Sequence, residues 1–523
     1  MDFDLLYPNQ EQRAKKITNT AFYESLGFDS GLFFGASRLF GKISDENRIL
    51  EYVTSDVDTI KYRLEVFEDF ENSKELRNGI AKVLPRMNEF LDSKYKRIDD
   101  GDITSSLYSV GEIDLYYECL ETLQKVLAGV KDEVKSRAIK GLTEYMTNLV
   151  NDAKFKSLKA TVDASMQDVK GIKSITIGVN LDAQLRPIEA GVVSVNGELY
   201  KSGNVVDKMM RLEFKDDGFF CGTPLERTSK NMSPEETNAF YDALNSALNT
   251  MYRNGIKKWG PMVKEYLEKD TNFIDEIFEQ LSFYVAGTAM FEKLRTMHLP
   301  ICKPQIQPKE ENACHLTGIY NPLVAIKENM HDVVRNSLVC DKYGKIYILT
   351  GPMKSGKTFF TNAVGICQVL LQLGMYLPCE SATISPVDNI LAHSTRDKGV
   401  DKSSARVEAE CEQIGNIVKD ITASSLVIMD DPLDCASNVE ASYLVGQVVL
   451  KTAKIGARGL FTTSLIDIAE EADDINANAK SDTKVDTLVA QTVDDKPSFR
   501  IERVKPESSN VAKSLAKRFG IEA

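Results

Sequence analysis

The chain has 523 residues, of which 43% are hydrophobic and 27% are charged. This length predicts two to four domains, and the composition is ordinary for a globular protein. The formal net charge of −13 gives no support to tight nucleic-acid binding, because phosphate backbones favour clustered Lys and Arg. The acidic first residues argue against a secretory signal, and no apolar run reaches the roughly 18 residues of a membrane span. We therefore expect a cytoplasmic protein without membrane contact.

The cysteines and histidines point away from disulfides and structural metals. Nine cysteines are scattered without a C-x-x-C pair, and the four histidines have no metal-ligand spacing. We expect reduced thiols and no structural metal site.

The first 310 residues read mainly as helix. Residues 1–44 show no clear period, whereas residues 45–310 predict a helical core or lever domain with a small β-containing insertion at about 171–225. In the insertion, Asn196-Gly197 signals a hairpin turn. One helical stripe recurs at three- and four-residue steps and is expected to face a core: Ile113, Tyr116, Tyr117, Leu120, Leu123, Leu127, Val130 and Val134.

Strands and helices alternate after a proline-containing segment. Residues 299–312 carry three prolines and read as an extended linker. Alternation from residue 311 to 523 predicts an α/β domain with a mostly parallel sheet.

One segment of this α/β domain fits the phosphate-binding pattern G-x-x-x-x-G-K-[ST] at every fixed position. An apolar strand precedes it and an apolar helix follows, so backbone N–H groups are expected to turn toward phosphates at the helix start. Lys357 would neutralise the β- and γ-phosphates of ATP, and the Thr358 hydroxyl would bind Mg²⁺. We call this segment the phosphate-binding loop; it comprises Gly351, Pro352, Met353, Lys354, Ser355, Gly356, Lys357 and Thr358.

Two later strands end in polar residues suited to the same chemistry. Asp430 and Asp431 follow the apolar run Leu426-Val427-Ile428-Met429. Asp430 is predicted to support the Mg²⁺, and Asp431 to orient or deprotonate the attacking water. Ser464, at the end of a further strand, is a candidate sensor of the γ-phosphate.

The order and spacing of these segments resemble the MutS DNA mismatch-repair ATPases of the ABC class. The closest likeness is Leu377-Pro378-Cys379-Glu380-Ser381-Ala382, which is similar to the family's V-P-A-E-S-A run. The likeness is strong over residues 315–523 and looser over 45–310. Further similar segments are residues 320–323 (family His-Pro segment), 334–336 (adenine-side loop), 384–388 (I-G-P-I-D), 403–408 (S-T-F-x-x-E signature) and 499–521 (closing strand and helix).

This resemblance implies a C-terminal α/β P-loop ATPase domain that uses ATP and Mg²⁺ and is preceded by the helical core. It implies that Asn336 lies near the adenine and that Ser403 reaches the γ-phosphate of a partner subunit in a homodimer. It also implies helical arms that embrace DNA. Nothing resembles the family's N-terminal mismatch-reading domain or its Phe-x-Glu wedge, so we expect recognition of DNA shape rather than of a base.

Three residues depart from the family pattern. Met353 replaces the usual Asn, Asp431 replaces Glu and Ser464 replaces His. The shorter Asp431 reaches less far toward a proton. Together these changes predict slow turnover, with ATP acting as a clamp between subunits.

Two other functions fit parts of the sequence. The acidic balance favours an ATP-switched protein–protein adaptor without DNA binding. A small-molecule kinase would use the same loop but has no role for the V-P-A-E-S-A-like run.

Overall fold

A computed structural model describes residues 4–13, 22–28, 51–95, 103–170, 174–184, 187–196, 198, 272–394, 404–493, 496–506 and 520. The chain divides into two compact units. Unit 1 comprises Met1–Ala81, Val130–Leu142 and Glu279–Ala523, and unit 2 comprises Lys82–Gly129 and Thr143–Phe278. Contacts thus group the chain differently from the sequence segments 1–44, 45–310 and 311–523, which stay a prediction.

Helices dominate the described part of the chain before residue 300, and helices and strands alternate after it. The helices are α1 (Gln10–Arg13), α2 (Phe22–Leu26), α3 (Val57–Asn72), α4 (Lys74–Tyr95), α5 (Ile103–Gly129), α6 (Arg137–Asn151), α7 (Ala153–Lys170), α8 (Asn272–Thr296), α9 (Pro322–Glu328), α10 (Lys357–Leu373), α11 (Ser404–Lys419), α12 (Asn438–Ile455), α13 (Ile466–Glu470) and α14 (Ala472–Ala479). The strands are β1 (Ser174–Leu181), β2 (Pro187–Asn196), β3 (Gln305–Ile306), β4 (Cys314–Ile319), β5 (Asn336–Cys340), β6 (Ile346–Thr350), β7 (Ser381–Ile384), β8 (Ile390–Ser394), β9 (Leu426–Asp430), β10 (Arg458–Thr462), β11 (Val485–Val493) and β12 (Lys496–Glu502). No helix among these described residues is long and apolar enough to cross a bilayer.

The predicted helical stripe faces a core. All eight of its side chains are buried, from Ile113 to Val134. In unit 2 the stripe packs α5 on α7, where the rings of Tyr117 and Phe155 meet edge to face with centroids 4.7 Å apart. Edge-to-face pairs of this kind add to the stability that burial alone provides.

The β-containing insertion has a hairpin in a different place from the predicted turn. Strands β1 and β2 pair antiparallel, with Ser174 opposite Asn196. Residues 182–186 separate the two strands, and β2 ends at Asn196. The turn predicted at Asn196-Gly197 would follow β2, and Gly197 and residues 199–271 lie outside the described residues, so this turn stays a prediction.

The α/β domain contains a six-stranded sheet in the order β12-β11-β6-β10-β9-β8, as the alternation predicts. All neighbouring pairs are parallel except β11 with β12. Every residue of β6, β9 and β10 is buried. Strands that are buried on both faces are typical of a parallel sheet covered by helices.

A smaller sheet has four strands in the order β3-β7-β4-β5. Its strand β3 belongs to residues 299–312, the segment predicted to be a linker. Cys302 forms an isolated bridge with Leu377, and β3 pairs in parallel with β7. The segment is extended, as its prolines predict, but its backbone is hydrogen-bonded to the α/β domain.

Helix α3 packs directly against the end of α10 within unit 1. Gly374 caps α10 with φ of 76°, a left-handed conformation that favours glycine. A Cβ at Gly374 would lie 2.4 Å from Cβ of Arg63, which is fully buried. The Gln372 amide donates to the carbonyls of Thr54 and Val387, each at 3.0 Å.

This close approach predicts that Gly374→Ala lowers the free energy of unfolding by about 3 kcal/mol, because it combines left-handed strain with overpacking. The matched control is Gly446→Ala in α12, where a Cβ would meet nothing within 4 Å. That control should leave stability unchanged or raise it by up to about 1 kcal/mol. Urea midpoints of the two variants measure the difference, and equal midpoints would contradict the packing described.

Candidate functional site

The phosphate-binding loop joins β6 to α10 through left-handed residues. Gly351, Lys354 and Gly356 have φ of 145°, 62° and 90°. A Cβ at Gly351 would lie 2.8 Å from Cβ of Ala490 on β11, so only glycine fits there. The loop thus takes the conformation that lets backbone N–H groups converge on an anion at the start of a helix.

Lys357 is the buried cation of the loop. It is 5% exposed, and its Nζ donates to the carbonyl oxygens of Gly351 at 2.9 Å and Pro352 at 3.0 Å. Burial lowers the pKa of Lys357, while the neighbouring Asp431 and Asp430 act in the opposite direction. The side chain is therefore held against the backbone of the loop.

Thr358 and Asp430 meet across the sheet. The Thr358 hydroxyl donates to Oδ1 of Asp430 at 3.1 Å. Asp430 ends β9, in register with Thr462 of β10. A hydroxyl beside a carboxylate is the type of oxygen donor set that Mg²⁺ accepts together with phosphate oxygens, so the two residues fit the predicted metal site.

Asp431 and Ser464 also come together. The Asp431 N–H donates to the Thr462 carbonyl at 3.0 Å, and the backbone N–H of Ser464 donates to the Asp431 carboxylate. Burial raises the pKa of Asp431, and Lys357 partly offsets this. The contact uses the Ser464 backbone, whereas the sequence had pointed to its hydroxyl.

Lys357, Thr358, Asp431 and Ser464 all line a cavity of about 770 Å³. Ser355 is 1% exposed, and its Oγ has no hydrogen-bond partner. A buried hydroxyl without a partner costs free energy unless a ligand or water satisfies it. The cavity is lined by Leu26, Gly27, Asn321, Leu323, Val324, Lys327, Met353, Lys354, Ser355, Gly356, Lys357, Thr358, Phe359, Asn362, Asp431, Asp434 and Ser464.

Five predicted residues are not part of this lining. Gly351 and Pro352 contact it through Lys357, and Asp430 through Thr358, whereas Asn336 has no such contact among the described residues. The Asn336 amide donates to the Phe499 carbonyl at 3.0 Å and accepts from the Ile501 N–H at 2.8 Å, so it joins β5 to β12. It borders a separate cavity of about 340 Å³. Ser403 lies outside the described residues.

Other lining residues were not among the predicted site residues. Lys327 adds a cation from α9, and Asn321 caps that helix by accepting from the N–H groups of Leu323 and Val324. Leu26 reaches the cavity from α2, more than 300 residues away in sequence. Of these residues, only Asn321 has a local sequence signal: Asn321-Pro322 is a pattern typical of the start of a helix.

The chain matches two family models. The model of MutS domain V covers residues 347–514, and that of the MutS2 N-terminal domain covers residues 55–297. The phosphate-binding loop and both aspartates lie inside the first match.

Curated relatives extend the likeness. The chain is 26% identical over 183 residues to DNA mismatch repair protein msh-2 of Neurospora crassa, covering 34% of this chain and 19% of the relative. It is 22% identical over 501 residues to MutS protein homolog 4 of Mus musculus, covering 89% and 50%. With DNA mismatch repair protein MSH7 of Arabidopsis thaliana the identity is 24% over 418 residues, covering 76% and 34%. The chain therefore spans at most half the length of these relatives.

The buried position of Lys357 predicts that Lys357→Ala weakens binding of Mg·ATP. Loss of a charged hydrogen-bond donor costs about 1.5–3 kcal/mol, or about a 10- to 150-fold rise in Kd. Calorimetric titration measures the change, with the exposed Lys451→Ala on α12 as control. An unchanged Kd in a folded Lys357→Ala variant would move the nucleotide site elsewhere.

Proposed function

Because the chain belongs to the MutS family, we propose that it binds Mg·ATP at the phosphate-binding loop and hydrolyses it slowly. The observation that carries this proposal is the pairing of Thr358 with Asp430 beside a cavity that is lined by Thr358, Lys357 and Ser355, whose buried hydroxyl has no hydrogen-bond partner.

Each residue of the site has a role in this proposal. The loop backbone binds the phosphate oxygens, and Lys357 neutralises the β- and γ-phosphates. Thr358 and Asp430 would hold the Mg²⁺, which when bound neutralises developing charge on the phosphates. Asn336 stays a proposed neighbour of the adenine, reached by a side-chain rearrangement from its contacts with β12.

Hydrolysis requires an activated water. Asp431 would accept a proton from the water as its oxygen attacks the γ-phosphorus and the bond to the β-phosphate oxygen breaks, giving ADP and phosphate. The Ser464 N–H, which donates to the Asp431 carboxylate, orients that group. Because Asp431 is one methylene shorter than glutamate, we propose that turnover is slow.

Exposed apolar side chains at the cavity support a dimer that closes over the nucleotide. Met353 is 81% exposed and Phe359 is 48% exposed, and both line the cavity. Exposed apolar groups at a binding site are typical of surfaces that a partner covers. We propose that a second copy covers them and brings its Ser403 segment to the γ-phosphate.

We further propose that the dimer binds DNA, with a preference set by shape, in mismatch repair or in the control of recombination. Family membership and the names of the relatives support this step. The net charge of −13 opposes it, so any DNA contact must come from a local basic surface.

Substitution of Asp431 tests the hydrolytic step. Asp431→Asn should retain ATP binding and lose turnover, because the amide cannot accept the proton. Asp431→Glu should raise turnover several-fold by restoring reach, since a base acts at about 3 Å from its proton. Single-turnover hydrolysis measures both, and full activity of Asp431→Asn would remove this residue from the mechanism.

Filter binding tests the DNA step. Duplex, mismatched and branched DNA of equal length should bind with different affinities, and ATP should change at least one of them. Lys357→Ala serves as the control that removes the ATP effect alone. ATP binding without affinity for any of the three DNAs would instead identify an ATP-switched protein–protein adaptor.

A further inference from the structure

His393 and Glu410 form a buried pair of side chains outside the lining of the nucleotide cavity. Nε2 of His393, on β8, and Oε1 of Glu410, on α11, are 2.9 Å apart, and both side chains are 8% exposed. Neither residue lines the cavity. Buried carboxylates are costly unless their oxygens are hydrogen-bonded, so the other partners of Glu410 show what it holds in place.

Those partners belong to the loop that follows Asp430. The Leu433 N–H donates to Oε1 of Glu410 at 2.7 Å, and the Cys435 thiol donates to Oε2 at 3.3 Å. One carboxylate on α11 therefore fixes residues 431–435, which we call the 431–435 loop, by its backbone and by a side chain.

The backbone of the 431–435 loop is strained and must be held in place by contacts with its surroundings. Asp431 and Leu433 have φ of 45° and 60°, so two non-glycine residues lie in the left-handed region. Such residues cost about 1–3 kcal/mol each and persist only where the surroundings impose them. Asp431 and Asp434 line the nucleotide cavity, so the shape of the loop determines where their carboxylates stand.

The charge state of Glu410 suits this role. Burial favours its protonated form, yet hydrogen bonds from His393, Leu433 and Cys435 outweigh that effect and lower the pKa of Glu410. The carboxylate is thus ionised at neutral pH and accepts from all three donors.

We propose that Glu410, oriented by His393, is a positioning residue for ATP hydrolysis: it holds the 431–435 loop so that Asp431 faces the γ-phosphate and the attacking water. This inference rests on the proposed ATPase function. Glu410 acts through the loop, so its loss should slow the chemical step while leaving the phosphate-binding loop and its affinity for ATP intact.

The test separates binding from chemistry. Glu410→Ala should lower the single-turnover rate at saturating Mg·ATP by about 10- to 100-fold, the cost of misplacing a reacting group by about 1 Å. The calorimetric Kd for ATP should stay within threefold of wild type. Glu410→Gln should restore most of the rate, because its oxygen in the Oε1 position still accepts from Leu433 and His393, while its NH2 group faces the Cys435 sulfur, a weak acceptor. The matched control is Glu412→Ala, an exposed acid on the same helix.

Each outcome decides a separate claim. If wild type turns over ATP and a folded Glu410→Ala does so equally fast, the positioning role is wrong and the proposed function stands. Equal loss of rate in Glu410→Gln and Glu410→Ala would also overturn it. If Glu410→Ala does not fold, His393→Gln against His393→Leu gives the same comparison, with the faster rate expected for Gln. A wild-type chain that neither binds nor hydrolyses ATP would remove the proposed function and this role together.

Discussion

The parallel register of the central sheet is the constraint on which the site depends. Strand β10 pairs with both β6 and β9, so the carboxyl ends of all three strands meet at one edge. This edge brings the phosphate-binding loop, Asp430 and Ser464 together, although up to 113 residues separate them in sequence. The 3.1 Å contact between Thr358 and Asp430 follows from that register. In open α/β sheets ligands bind outside the carboxyl ends of strands, and the candidate site of this chain lies at such an edge.

Helices from distant parts of unit 1 contribute to the candidate site or hold its elements in place. Helix α2 supplies Leu26 to the cavity, and its Ser25 hydroxyl donates to the Ala392 carbonyl on β8 at 3.3 Å. The C-terminal end of α10 packs against α3, where Gly374 contacts Arg63. The helix that starts at the phosphate-binding loop is thus fixed at both ends. A phosphate-binding helix that is fixed in this way cannot shift without disturbing α3.

The sequence predicted the local parts of this arrangement and missed the distant ones. The phosphate-binding loop and Asp430 were predictable because each combines a fixed motif with a buried strand, and parallel strands then bring them to one edge. Glu410 was not, because its partners His393 and Leu433 lie 17 and 23 residues away and no pattern links them. Asn336 shows a different limit: its amide joins β5 to the backbone of β12, more than 160 residues away, and no local pattern in the sequence indicates this pairing.

The segment that connects α8 to the α/β domain has a mechanical consequence. Its bridge from Cys302 to Leu377 and the pairing of β3 with β7 begin only a few residues after α8 ends. A linker of this length would ordinarily be free to change conformation, but these backbone hydrogen bonds restrict it. Within unit 1, a displacement of the end of α8 would therefore reach β7 through these backbone hydrogen bonds, with little free chain between them to take it up.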